Sequence, residues 1–278
     1  MNVRDKNIRY PLNSEDNTSL WTFFTKKSSI RCINLVTRKD RYQQSQEVFD
    51  KHGIPVKYFF ANRHPNGGAQ GCYESHISCI NESYLRGDEM CLIFEDDVLP
   101  CPNTHNIKIL KEAIRFMKLN QTWELFYFGT HHNIWSSKTQ KVSNLFPSIL
   151  KIKSICTHAY VIHRRLMERM FNSKYMGIAI DYIYVNNNNA YGIYPSMFYQ
   201  RLSPSDISSS WNSFPLKLNW FWLVDVYSKY INKPINSIAY VLSFGFLVLV
   251  LLILIKPNYS RLFVLIICFI TLILILKI

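Results

Sequence analysis

Met90-Cys91-Leu92-Ile93-Phe94-Glu95-Asp96-Asp97 is a run of five apolar residues that ends in three adjacent carboxylates. An unbroken apolar run of that length, stopped by charge, reads as a strand buried on both faces, and such strands belong to sheets covered by helices. The flanking sequence repeats the alternation. Upstream, residues 30–36 read as a first strand, 39–52 as a helix closed by Gly53, 56–60 as a second strand and 73–85 as a second helix. Downstream, 107–118 read as a helix, 123–128 as a strand, and 154–162 and 193–199 as later strands. The connection 62–71, with Pro65, Gly67 and Gly68, reads as a mobile loop near the top of the sheet. The fold class is therefore α/β, and no internal repeat is present.

The chain has 278 residues, and its last forty or so are too apolar to share a solvated globule with the rest. That leaves one soluble domain of roughly 230 residues, large enough to bury a core without covalent staples. The seven cysteines fit this, because they are scattered without a CxxC pair. They point to a reduced compartment, although a single disulfide stays compatible with the spacing. Residues 1–29 form a polar extension with no apolar core of an export signal, so a cytosolic catalytic domain is expected. Residues 237–255 meet the length of about 20 that a membrane span needs, and 262–276 form a shorter apolar run. Between the two lies Lys256-Pro257-Asn258-Tyr259-Ser260-Arg261. A C-terminal transmembrane hairpin follows as the expectation, with residues 211–236 as juxtamembrane linker, and the protein is expected at a membrane.

With 32 Lys and Arg against 19 Asp and Glu, the formal net charge is +13. That field suits nucleic acid, an anionic membrane surface or phosphorylated substrates alike. The basic residues are dispersed, without an arm, a stripe or aromatic interleaving, so nucleic acid ranks below the other two and is not expected as a partner.

Carboxylates directly after a buried strand lie where open α/β sheets bind their ligands. Glu95, Asp96 and Asp97 supply hard oxygen donors that suit Mg²⁺ or Mn²⁺. The same three residues also read as a solvated acidic turn. One helix upstream, Ser75 and His76 offer a nucleophile and a base without an evident acid; the alternative is that they start the helix and hydrogen-bond to the carboxylate loop.

Together these pieces resemble glycosyltransferase family 25, which includes bacterial lipooligosaccharide and collagen galactosyltransferases. The resemblance is carried by Ile33-Asn34-Leu35, Arg38 and Arg41, then Gly71, Cys72, Ser75 and His76, then Glu95-Asp96-Asp97 and the strand 123–129. It continues through Thr157-His158-Ala159-Tyr160, Ile180-Asp181, Tyr194-Pro195, Gln200 and Ser205-Asp206-Ile207. It implies a GT-A-like (Rossmann-like) domain with a mixed sheet over residues 30–210. It also implies a UDP-sugar donor, commonly UDP-galactose, a divalent metal, and transfer with inversion to a glycan or protein acceptor, as in lipopolysaccharide-like glycan biosynthesis. Ala61-Asn62-Arg63-His64 departs from the segment that family members often carry there, which leaves the donor sugar open.

Carried onto this chain, the resemblance makes Asp97 the metal ligand, with Glu95 and Asp96 beside the metal or the ribose. Asn34, Arg38 and Arg41 fall on the donor side, while an exposed helix start explains the two arginines equally well. Inverting transfer needs a base for the acceptor hydroxyl. Asp181 and Asp206 match, Asp181 being favoured; both also read as helix caps. His158 reads as a hydrogen-bonded strand residue and a reserve ligand. A membrane-anchored binding module without turnover is the competing reading, and three mutually repelling carboxylates speak against it.

Overall fold

The computed structural model describes residues 20–25, 28–100, 107–129, 140–154, 156–194 and 196–201. Most of the polar extension lies outside these residues. So do the linker, both apolar C-terminal stretches and Asp206. Among the described residues no helix is long and apolar enough to cross a membrane.

Ten strands and five labelled helices build an α/β unit: β1 (Ser28–Leu35), α1 (Lys39–Lys51), β2 (Lys57–Ala61), α2 (Gly68–Leu85), β3 (Met90–Glu95), β4 (Val98–Pro100), α3 (Ile107–Leu119), β5 (Leu125–Gly129), β6 (Gln140–Ser143), β7 (Phe146–Lys151), β8 (Ala159–His163), α4 (Arg164–Met170), α5 (Ile180–Tyr184), β9 (Ala190–Ile193) and β10 (Phe198–Gln200). Residues 20–25 add a short helical turn. Eight strands form one sheet in the order β2-β1-β3-β8-β5-β9-β7-β6, and β10 pairs with β4 in a small second sheet. The sheet is mixed: β1 runs parallel to β2 and β3, whereas β8 runs antiparallel to β3 and β5.

Strand periodicity explains the two cores. Leu92 and Phe94 of β3, Phe126 and Phe128 of β5 and Val161 of β8 join Trp21, Phe24 and Phe49 and the α3 stripe from Ile109 to Met117 on one face. Their neighbours Cys91, Ile93, Leu125, Tyr127, Tyr160 and Ile162 point the other way, onto α2, α4 and α5. Successive side chains on a strand face opposite sides, so a strand covered on both must be apolar throughout. Each fully buried Leu, Ile or Phe of these strands contributes roughly 1.5–3 kcal/mol. The described cysteines, Cys32, Cys72, Cys79, Cys91 and Cys156, are all free thiols.

Three local readings change. The helix expected from residue 73 begins at Gly68, five residues earlier, so Ser75 and His76 stand inside it and do not start it. Gly68 and Gly71 each disfavour a helix by about 1 kcal/mol relative to Ala, which hides its first turn from propensity. Packing overrides this, because a Cβ on Gly71 would meet the Cβ of His64 at 3.0 Å. The strand expected over 154–162 starts only at Ala159. The strand expected over 193–199 is two: β9 ends at Ile193 in the main sheet, and β10 begins at Phe198 against β4.

Candidate active site

The acidic turn sits where β3 leaves the sheet, and neighbouring strands pin its backbone. The Glu95 N–H donates to the His158 carbonyl at 3.0 Å, and the Arg201 N–H donates to the Asp97 carbonyl at 2.6 Å. Because β10 pairs with β4, Gln200 comes level with Val98. Its amide donates to Asp97 Oδ2 at 3.1 Å.

The three carboxylates have different surroundings. Both Asp96 oxygens are taken: Arg41 Nη1 donates to Oδ1 at 2.9 Å, and Asn34 Nδ2 donates to Oδ2 at 2.7 Å. Burial pushes its carboxyl up, against the pull of Arg41 and Asn34. Glu95 Oε1 accepts from Thr157 Oγ1 at 2.7 Å and lies 3.5 Å from His76 Nε2. Burial works against its ionisation, yet His76 and Thr157 hold it below the usual value. Asp97 is buried, its Oδ2 lies 3.6 Å from Arg41 Nη1, and its Oδ1 has no hydrogen-bond partner. Burial, reinforced by the Glu95 charge and opposed by Arg41, pushes its carboxyl up to about 7.

Asp181 lies in the first turn of α5, preceded by Ala179 at the cap position, and its Oδ1 accepts from the Tyr182 N–H at 3.0 Å. Burial pushes it up to about 6, with Tyr182 opposing and the Glu95 charge adding to the rise. Cys72 registers the convergence: beyond burial, the charges of Glu95, Asp181 and Asp97 all push its thiol up. Carboxylates from the end of β3 and from α5 therefore act on one space beside α2.

Other expected residues take structural places. Arg38 precedes α1 and pairs with Asp40, Nε to Oδ1 at 3.0 Å and Nη2 to Oδ2 at 2.9 Å. Ser75 Oγ donates to the Gly71 carbonyl at 2.6 Å, back along its own helix. His158 is buried, with Nε2 3.4 Å from the Phe198 carbonyl. Gly129 makes room for it, since a Cβ there would fall 2.2 Å from that ring nitrogen. Sequence reasoning did not single out Thr157 and Gln200 as contacts of the acidic turn, nor Tyr160 and Tyr184 behind it. Their only signal was membership in the resemblance for the first three.

A divalent cation fits this turn through Asp97. Its Oδ1 is a buried anionic oxygen with no donor, whereas the Asp96 oxygens already serve Arg41 and Asn34. Among the described residues no group of three or more His, Cys, Asp or Glu side chains is placed to hold a metal alone. One carboxylate suits Mg²⁺ or Mn²⁺ when phosphate oxygens and water complete the shell.

The family model described as glycosyltransferase family 25 (LPS biosynthesis protein) matches residues 62–184, a stretch that contains α2, the acidic turn, Thr157 and Asp181. Residues 62–184, just under half of the chain, are thus similar to glycosyltransferase family 25. The family 25 segment stops short of Asn34, Arg38 and Arg41 on one side and of Gln200 on the other. No curated protein matches the chain. A solved structure of a glycosyltransferase involved in the glycosylation of the major capsid of PBCV-1 aligns at 14% identity and a TM-score of 0.32, over 51% of this chain. The chain spans 63% of that protein.

Proposed function

We propose that the chain transfers a hexose, galactose by the family resemblance, from a UDP-sugar to a hydroxyl of a glycan or protein, with inversion and with the help of Mn²⁺ or Mg²⁺. The observation that carries this reading is the unpartnered Asp97 Oδ1 in a turn whose other carboxylates are held by Arg41, Asn34, Thr157 and His76. Bound beside Asp97, the cation would neutralise the diphosphate of the donor and of the departing UDP. Arg41 and Asn34 keep Asp96 fixed, so that the turn does not collapse onto Asp97. Gln200 holds Asp97 Oδ2 and leaves Oδ1 directed away from it. Asp181 is the base: a carboxyl at about 6 is ionised at neutral pH and basic enough to take the acceptor hydroxyl proton as the glycosidic bond forms. The apolar stretches 237–255 and 262–276 support attachment to a membrane.

The test is UDP release. The full chain in detergent, given Mn²⁺ and a panel of UDP-hexoses, should release UDP from one of them, and chelation should abolish the release. Turnover that is indifferent to chelation would remove the metal from the reading, and no release from any UDP-sugar would remove the donor.

A further inference from the structure

Behind the acidic turn lies a row of polar groups in the core on the α2 side of the sheet. Tyr184 Oη lies 3.2 Å from Tyr160 Oη, and Tyr160 Oη lies 2.9 Å from His76 Nδ1. His76 Nε2 in turn lies 3.5 Å from Glu95 Oε1. His76 and Tyr160 are 0% exposed and Tyr184 is 1% exposed, so water does not compete for these contacts. The direction of the chain follows from its end. A carboxylate only accepts, so the ring nitrogen facing it is Nε2–H, drawn to the Glu95 charge across 3.5 Å without a hydrogen bond; in the neutral ring Nδ1 then accepts from Tyr160, whose oxygen accepts from Tyr184. One tautomer satisfies every member but Nε2, which has only the Glu95 charge facing it.

We propose that His76 is a positioning residue for the transfer, acting on Glu95 by a 3.5 Å contact at the end of a hydrogen-bonded row, Tyr184–Tyr160–His76, that starts on the helix carrying Asp181. The proposal rests on the transferase reading above. Thr157 donates to the same Glu95 oxygen that His76 Nε2 approaches at 3.5 Å from another element, so the two bracket the side chain. Tyr184 stands three residues after Asp181, so a shift of α5 that moved one would move the other. The chain thereby ties the acceptor-side carboxylate to the donor-side turn. Stability alone does not explain it, because apolar side chains of the same shape would fill the space about as well. What the polar chain adds is direction.

The test uses the full chain in detergent, with Mn²⁺ and UDP-galactose as the probe. In protein carrying ¹⁵N-histidine, His76 should show a protonated Nε2 and an unprotonated Nδ1, assigned by loss of the signals in His76→Gln. Tyr160→Phe removes the donor to Nδ1 and keeps the ring. It should lower kcat about 10-fold or more while the donor KM stays near that of the wild type, and the melting temperature should fall modestly because Nδ1 and Tyr184 Oη lose their partner. His76→Gln carries an amide where Nε2–H stood and should retain much of the activity that His76→Leu loses. A bare Nε2 would overturn the proposal, as would Tyr160→Phe with the kcat of the wild type. A wild type that releases no UDP from UDP-galactose or from any other UDP-hexose overturns the transferase reading and the role with it, whereas an active wild type beside an indifferent Tyr160→Phe overturns the role alone.

Discussion

Asp97 is held in the fold with its carboxyl near 7, and this has a measurable consequence for stability. In the unfolded chain an Asp titrates at about 3.9, so between those values the folded state binds the proton more tightly. The contribution is complete below about pH 4 and is lost as pH rises through the folded value of about 7. Asp97→Asn removes the group that loses it. The variant should melt at or above the temperature of the metal-free wild type at pH 8, and the difference should shrink toward pH 5. Thermal melts of both proteins at the two pH values decide it, and a variant less stable than the wild type at pH 8 would mean that the Asp97 charge is satisfied within the fold. The carboxylate cluster was legible because three acids after five apolar residues is a local pattern. Its division of labour was not, since Arg41 and Asp96 are 55 residues apart and His76 and Tyr160 are 84 apart.

Among the elements, α5 carries the proposed base, and the sequence showed it only as a segment from 182 to 188 that Asp181 would cap, whereas the helix starts at Ile180 with Ala179 at the cap. Its five residues, Ile180–Tyr184, give too short an apolar period to read, and the sequence placed Asp181 only as a cap or a base. The structure puts its carboxyl within the influence of Glu95 and His76. Asp181→Asn should lower kcat by roughly 10² or more while UDP binding is kept. In the wild type, kcat/KM should rise with pH through about 6 as Asp181 ionises, and the variant should lack that rise. A variant that keeps the wild-type rate would pass the role of base to another group. Strands β1 and β3 and helix α1 were readable because each has one dominant period, 2 or 3.6, and clear stops. The hairpin of β6 and β7 was not, and β9 and β10 merged into one apparent strand because Tyr194 and Met197 extend their apolar character, although Pro195 and Ser196 between them are turn formers.

At the scale of the whole molecule, helices on both sides of one mixed sheet bury two cores, and the acidic turn opens at the end of its central strand β3. Every described element ends by Gln200, and both apolar stretches lie beyond Pro234. A chain ending at Asn236 should therefore remain folded and, on the proposed membrane attachment, sediment apart from the full chain, which should be found with the membranes. Sedimentation after cell lysis, with circular dichroism of the soluble protein, checks this; an insoluble chain under conditions where the full protein folds in detergent would make the tail part of the core. The α/β class was legible from the alternation of buried strands and helices alone, whereas the strand order depends on long-range pairings, such as β8 between β3 and β5, that no local pattern encodes.

The central claim is that Asp97 holds a divalent cation for a sugar nucleotide, and the most direct measurement is calorimetric titration of Mn²⁺ into the full chain in detergent with UDP present. The wild type should bind Mn²⁺ in a UDP-dependent manner. Asp97→Asn should bind it at least roughly 10-fold more weakly, because it lacks the charged oxygen that completes the shell. Equal Mn²⁺ affinity in the two proteins, with UDP present, would contradict the account.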